Sequence, residues 1–329
     1  MTADGTFKIN YMPGQTTQPV INLVVTCSNR KSAPASPSLQ ARNLRGRSFE
    51  MRRSSWTKRL SDEGDGMLPA TEVYKGDHWS VVRSIGLLTP PGRVNVWIAS
   101  AGYGLITPTS PIVPYAATLS PRHLDSVAQD SNERREWWSG LIARPLVSDL
   151  TVPRSLKDVA RKFKNSPLVV ASSSEYIDAM ANDLIAARQE LEDPILLSIL
   201  CRKGAAPPEL RDVSIALQAS YSSVLGGALT SLNVRVLRWL VEQGAAKLTR
   251  HTIARLLAEL AAQSTVQPIP KRAKLTDAEV KRQIHKALHS ATRLSQSALL
   301  RVVRNNGLAV EQSRFARIYN EVMEEAPRG

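Results

Sequence analysis

Short apolar runs alternate along this chain with longer amphipathic or basic stretches. Val20 to Thr26 is apolar and rich in β-branched residues, as expected of a strand buried on both faces. A Ser/Pro/Ala loop follows from Ser32 to Ser38, then a basic stretch from Arg42 to Leu60 that reads as helical, then a turn-rich break from Asp62 to Gly66. His78 to Ile85 predicts a short helix and residues 94–99 a second strand. Trp137 and Trp138 fall in a helix predicted over 132–143. Pro167 to Ser172 is a further strand, and Glu175 to about Leu191 a further helix. Ile195 to Cys201 is apolar again, and Val213 to Leu217 reads as a last short strand. Strands alternating with helices predict an α/β core built on a mostly parallel sheet.

The pattern changes near Gln263 to Leu275, where Pro268-Ile269-Pro270 cannot continue a helix. Beyond it, Thr276 with Glu279 forms a capping box, and Val280, Ile284 and Leu288 trace one helical face. Ser295 opens a second helix, Asn305-Asn306-Gly307 ends it, and Val310 to Met323 forms a third. Three short helices with a glycine turn before the last predict a helix-turn-helix-like module. The organisation expected is a flexible arm over 1–19, an α/β catalytic domain over 20–263, and a basic helical DNA-binding module over 268–325.

Charge sharpens this picture. The 329 residues include 43 Lys and Arg against 29 Asp and Glu, a net charge of +14. Such a field favours polyanions, and double-stranded DNA is the partner expected. In the tail, Lys271, Arg272, Lys274, Arg301, Arg304, Arg314 and Arg317 are the candidate phosphate contacts. Arg301 and Arg304, like Arg314 and Arg317, share a helix face at i, i+3. No apolar run is long enough to span a membrane, and no signal-peptide core is visible, so a cytoplasmic protein is expected. Two cysteines, Cys27 and Cys201, cannot build a disulfide framework or a four-thiolate zinc site. No GxGxxG follows a strand, no Walker A motif occurs, and five scattered histidines lack metal-ligand spacing, so neither cofactor nor metal is expected.

The candidate chemistry concentrates after the strand at 94–99, in Ser100-Ala101-Gly102-Tyr103-Gly104-Leu105, Pro108 and Pro114-Tyr115. Together with Lys75-Gly76-Asp77-His78-Trp79 and the strand-end segment Ser28-Asn29-Arg30-Lys31, these blocks resemble the YaaA (peroxide-stress) superfamily. The similarity covers roughly residues 20–120. It departs from the family pattern after Tyr115, where Ala116-Ala117-Thr118 replaces the usual acidic residue. The resemblance implies a DNA-binding fold, and Brig-type anti-phage DNA glycosylases are the functional comparison it brings.

Cleavage of a base–sugar bond passes through a cation-like sugar, which needs a nearby negative charge, a positioned water and a donor for the departing base. Asp77 is the candidate carboxylate, with a helix N-cap at His78 as its structural alternative. Lys31 could bind a phosphate or serve as an amine nucleophile. Tyr103 and Tyr115 could stack on a flipped base, or lie buried with their hydroxyls satisfied. Ser28 and Ser100 could bond a phosphate or base edge or cap loops. His78 could contact substrate as an acid or base or hold a structural role, and Gly102 and Gly104 would let the backbone approach a ligand. Cys27 is more simply a buried thiol than a nucleophile. The function expected is release of modified bases from phage DNA, leaving abasic sites. A base-modifying or base-exchanging enzyme of a hypermodification pathway, and a non-enzymatic DNA-binding protein, are the alternatives.

Overall fold

The computed structural model describes residues 20–62, 66–88, 92–143, 152–244, 247–266, 273–288 and 295–325. The arm expected over 1–19, and Lys271 and Arg272 of the tail, lie outside the described residues. The chain divides into two compact units, residues 1–266 and 267–329.

The first unit is built on a six-stranded sheet: β1 (Ile21–Thr26), β2 (Val94–Ser100), β3 (Gly104–Ile106), β4 (Leu168–Ala171), β5 (Leu197–Arg202) and β6 (Ser214–Leu217). Their order is β3-β2-β1-β4-β5-β6. All pairs are parallel except β2 with β3. β1 pairs with β2 from Ile21 opposite Val94, and with β4 from Asn22 opposite Leu168. Residues 21–25, 168–171 and 197–201 are buried without alternation, which is why these strands read as continuous apolar runs.

The helices of this unit are α1 (Phe49–Asp62), α2 (Asp77–Ile85), α3 (Ser131–Ala143), α4 (Leu156–Lys162), α5 (Ser174–Ala179), α6 (Ala181–Glu190), α7 (Leu232–Glu242) and α8 (Arg250–Gln263). The helix expected from Arg42 begins only at Phe49. Residues 41–44 instead form a 3₁₀ turn, because Asp125 accepts from both the backbone and the guanidinium of Arg42 and so holds that segment down. The helix expected from Glu175 breaks at the fully buried Met180. Past this break, Asp183 caps α4 by accepting from the amides of Leu156 and Lys157, and it also accepts from Trp138 Nε1. Helices α4, α7 and α8 escaped the sequence reading. In α7 the signal was present: Leu232, Val236, Leu237 and Leu240 form one buried stripe.

The glycine-rich segment after β2 is a buried turn held by internal hydrogen bonds. Trp56 Nε1 donates to the carbonyl of Gly102 (2.9 Å) and Trp137 Nε1 to that of Ala101 (2.8 Å). Ser100 Oγ accepts from the amides of Gly102 and Tyr103, and meets the hydroxyls of Tyr115 (2.7 Å) and Tyr74 (3.1 Å). Tyr103 Oη accepts from the amide of Val113 at 3.1 Å. A Cβ at Gly102 would stand 2.7 Å from the Tyr115 ring. At Gly104, which sits at φ +75°, a Cβ would stand 3.1 Å from Leu141 Cβ of α3.

The second unit has helices α9 (Asp277–Leu288), α10 (Gln296–Asn305) and α11 (Gln312–Glu325). They close around Val280, Ile284, Leu299, Val303, Phe315, Ile318 and Val322. A short parallel ladder joins Ala273–Lys274 to Leu308–Ala309.

Gly102→Ala should destabilise the first unit by about 1–3 kcal/mol, the usual cost of overpacking a rigid core. Chemical denaturation followed by tryptophan fluorescence measures it. A loss under about 0.5 kcal/mol, the range of a neutral surface change, would show that the Tyr115 ring yields.

Candidate functional site

The strand order places a topological switch between β1 and β4. From β1 the chain moves to β2 on one side, and it later returns through β4 on the other. The connections therefore diverge at the carboxyl ends of these two strands and leave a crevice, the usual ligand position in open α/β sheets. Here the crevice is a cleft of about 840 Å³. Its β1 lip is Thr26, Cys27 and Ser28, its β4 lip is Ser172, Ser173 and Ser174, and Arg30, Lys75, Asp77, Glu175 and Arg202 line it.

The cationic rim is built by a backbone zipper. Ser28 Oγ donates to the carbonyls of Arg30 (2.9 Å) and Lys75 (3.0 Å), and the amide of Lys75 donates to the Arg30 carbonyl (2.9 Å). Lys31 and Tyr74 form a β-bridge beside them. Gly76 then turns into α2 at φ +98°, a conformation that favours glycine.

Asp77 is the first residue of α2. The N-cap position belongs to Gly76, so the capping alternative for Asp77 does not hold. Its carboxylate instead reaches across the cleft, accepting from Ser231 Oγ and from Arg235 Nη2, the latter at 2.5 Å. The Ser231 hydrogen bond, and then Arg235, hold its pKa below the usual carboxylate range, so it is ionised at neutral pH. Its side chain remains 49% exposed. His78 Nε2 donates to the carbonyl of Thr26 at 3.1 Å, tying α2 to the end of β1. Burial lowers the His78 pKa and keeps the ring neutral.

Of the expected site residues, Ser28, Asp77 and His78 line the cleft, whereas Lys31, Ser100, Gly102, Tyr103, Gly104 and Tyr115 do not. Tyr103 and Tyr115 are 5% and 1% exposed, so neither can stack on a base. They meet each other edge-on at 5.4 Å. Burial raises the Tyr115 and Tyr74 phenols well above the usual tyrosine range, so both stay protonated within the hydroxyl network. Gly102 and Gly104 make room for Tyr115 and α3 rather than for a ligand. Lys31 Nζ sits 4.3 Å over the Tyr115 ring and donates to the carbonyl of Ser28. It props the β1 loop from behind instead of meeting a phosphate, and burial lowers its pKa.

The cleft also holds residues the sequence reading missed. Ser172, Ser173 and Ser174 were legible as three serines at a strand end, and Arg202 as a cation ending an apolar run. Ser231 and Arg235 carried no local signal, since they meet Asp77 across more than 150 residues. Cys27 lines the cleft at the end of β1, its Sγ 3.0 Å from Tyr176 Oη, half-buried rather than sealed in the core.

In the second unit, Arg314 and Arg317 do not form a free basic face. Both converge on Asp277 of α9, and Arg317 also pairs with Glu321 at 2.5 Å. Arg304 Nη2 donates to the carbonyl of Val310. Arg301 and Lys274 are exposed and carry no ion pair among the described residues.

The chain matches no protein-family model, no curated protein and no solved structure.

His78 is held neutral, so the stability it lends is present above pH 6.5 and is lost as pH falls from there through its lower folded value. Denaturant midpoints should drop between pH 7.5 and 5.5 in the wild type and drop less in His78→Gln, which keeps a donor for Thr26 without titrating. Equal slopes in the two proteins would place the pH sensitivity elsewhere.

Proposed function

We propose that this chain is a DNA glycosylase of YaaA-like type that releases modified bases from phage DNA. The observation that carries this reading is Asp77, an ionised, half-exposed carboxylate set beside a hydroxyl-rich, cationic cleft at the switch point of a parallel sheet. In the step envisaged, the C1′–N bond breaks and its electron pair leaves on the base, which takes up a proton. Water adds to C1′ and gives up a proton in turn. Asp77 faces the positive charge that builds on the sugar, and a fixed ionised group aligned with developing charge is the most effective aid to such a step. Arg235 and Ser231 hold Asp77 in place, so they are positioning residues.

The second unit contributes DNA affinity in this reading, as a helix-turn-helix-like module. With Arg314 and Arg317 committed to Asp277, the phosphate contacts fall to Arg301, Lys274 and, in part, Arg304. The resemblance of residues 20–120 to the YaaA superfamily supports the assignment to DNA.

Asp77→Asn should retain DNA affinity and lose base release by about two or more orders of magnitude, the scale of an electrostatic group acting on the transition state. Arg235→Gln breaks the same ion pair but keeps the carboxylate, and should lose far less. Abasic sites in modified phage DNA, counted after incubation with each purified variant, give the comparison. Wild-type base release by Asp77→Asn would end the catalytic role of this carboxylate, and tight binding with no abasic sites in the wild type would leave a DNA-binding protein.

DNA affinity should fall steeply with salt. Arg301→Ala should reduce the log–log slope by about one, whereas Arg317→Ala should lower thermal stability with little change in slope. Affinity that stays flat from low to physiological salt would remove phosphate contact as its basis.

A further inference from the structure

Ser172 is 3% exposed, it lines the cleft, and its hydroxyl has no hydrogen-bond partner among the described residues. A buried hydroxyl left unpaired is costly, and a ligand bound in the cleft that its residue lines can supply the missing partner. The residue stands just beyond β4, at the level of Thr26 in the parallel register with β1, where the two chains part.

The charges around it are unbalanced. Arg30, Lys75 and Arg202 line the cleft and carry no ion pair among the described residues. The two carboxylates that line it are already engaged. Asp77 is held by Ser231 and Arg235. For Glu175, burial is outweighed by its own backbone amide and by the Ser173 and Ser174 hydroxyls, which together lower its pKa. Three uncompensated cations and an unpaired buried hydroxyl ask for a ligand that is multiply charged and accepts several hydrogen bonds at once. A phosphate ester meets both demands. The volume is ample for a nucleotide rather than for the ion alone.

We propose that the crevice between β1 and β4 is the phosphate seat of a single nucleotide, with Ser172 Oγ as its innermost donor and Arg30, Lys75 and Arg202 around it. The proposal rests on the reading of this cleft as the place where a nucleotide is handled, but not on cleavage of any bond. The phosphate could belong to a free mononucleotide or to a nucleotide flipped out of a strand, and the chemistry of the seat is common to both.

Calorimetric titration of the full chain distinguishes them. The probes are deoxycytidine 5′-monophosphate, deoxycytidine, and a pentanucleotide whose only phosphates are internal diesters. Deoxycytidine should bind at least about tenfold more weakly than a phosphate-bearing probe, as expected when charge-assisted hydrogen bonds are lost. Ser172→Ala should weaken the phosphate-bearing probe about five- to tenfold, the effect of one buried hydrogen bond. Ser198→Ala removes an equally buried, unpartnered hydroxyl outside the cleft and should change nothing. Arg202→Ala, on the exposed rim, tests the same seat should Ser172→Ala fold poorly. Binding of the monophosphate identifies a monoester seat, and binding of the pentanucleotide alone identifies a strand phosphate. Equal binding of deoxycytidine and both phosphate-bearing probes, binding of none, or unchanged affinity in both Ser172→Ala and Arg202→Ala would overturn the seat. Because phosphate binding in this seat does not require bond cleavage, phosphate binding without abasic sites would sink the glycosylase reading and leave this one standing.

Discussion

The three buried hydroxyls of Tyr74, Ser100 and Tyr115 are the contact on which the site depends. They lie within 2.7–3.1 Å of one another, in a core where an unpaired polar atom would be heavily penalised. Each comes from a different stretch: Ser100 ends β2, Tyr115 follows the turn, and Tyr74 immediately precedes Lys75-Gly76-Asp77. Satisfying all three at once fixes the chain before α2 against the carboxyl end of β2. That in turn sets where Asp77 leaves the fold and where Lys75 joins the rim. Trp56 and Trp137 donate to the carbonyls of Gly102 and Ala101 beside it, so these groups are spent inside the core.

Accessible polarity is thereby displaced from the most conspicuous residues to less conspicuous ones. The glycine-rich, tyrosine-bearing turn serves as scaffold, and the cleft one strand away carries the exposed charge. Its polarity comes from the small hydroxyls of two strand ends and from cations that carry no ion pair among the described residues. Asp77 is the exception, a charged group whose own field is anchored by Arg235 and Ser231. An anchored carboxylate keeps its ionisation, and its direction is fixed before a substrate arrives, which is what electrostatic preorganisation requires.

The second unit shows the same economy with basic residues. A net charge of +14 suggests many free cations, yet Arg314 and Arg317 hold α11 to α9 through Asp277. In the first unit Arg52 is likewise bidentate to Glu133, and Arg134 and Arg135 share Asp178. A formal charge count therefore overstates the surface open to a polyanion, and only exposed, unpaired side chains such as Arg301 and Lys274 add to its field directly.

The sequence by itself determined the elements whose signal is local. Continuous β-branched runs at 21–26, 94–100 and 168–171 can be little else than buried parallel strands, and Thr276 with Glu279 fixes the start of α9. It also singled out Ser28, Asp77 and His78, through the segments that resemble the YaaA superfamily and through the glycine that precedes Asp77. Only the tertiary structure decided which strand ends face one another. It sealed Tyr103 and Tyr115 inside, turned Lys31 under the loop, and brought Ser231 and Arg235 to Asp77. The physical reason is that a local pattern records what a residue can do, while burial and pairing depend on neighbours more than a hundred residues away. Tyrosine, serine and lysine satisfy a core network as readily as a ligand, so their chemistry alone does not say which they meet.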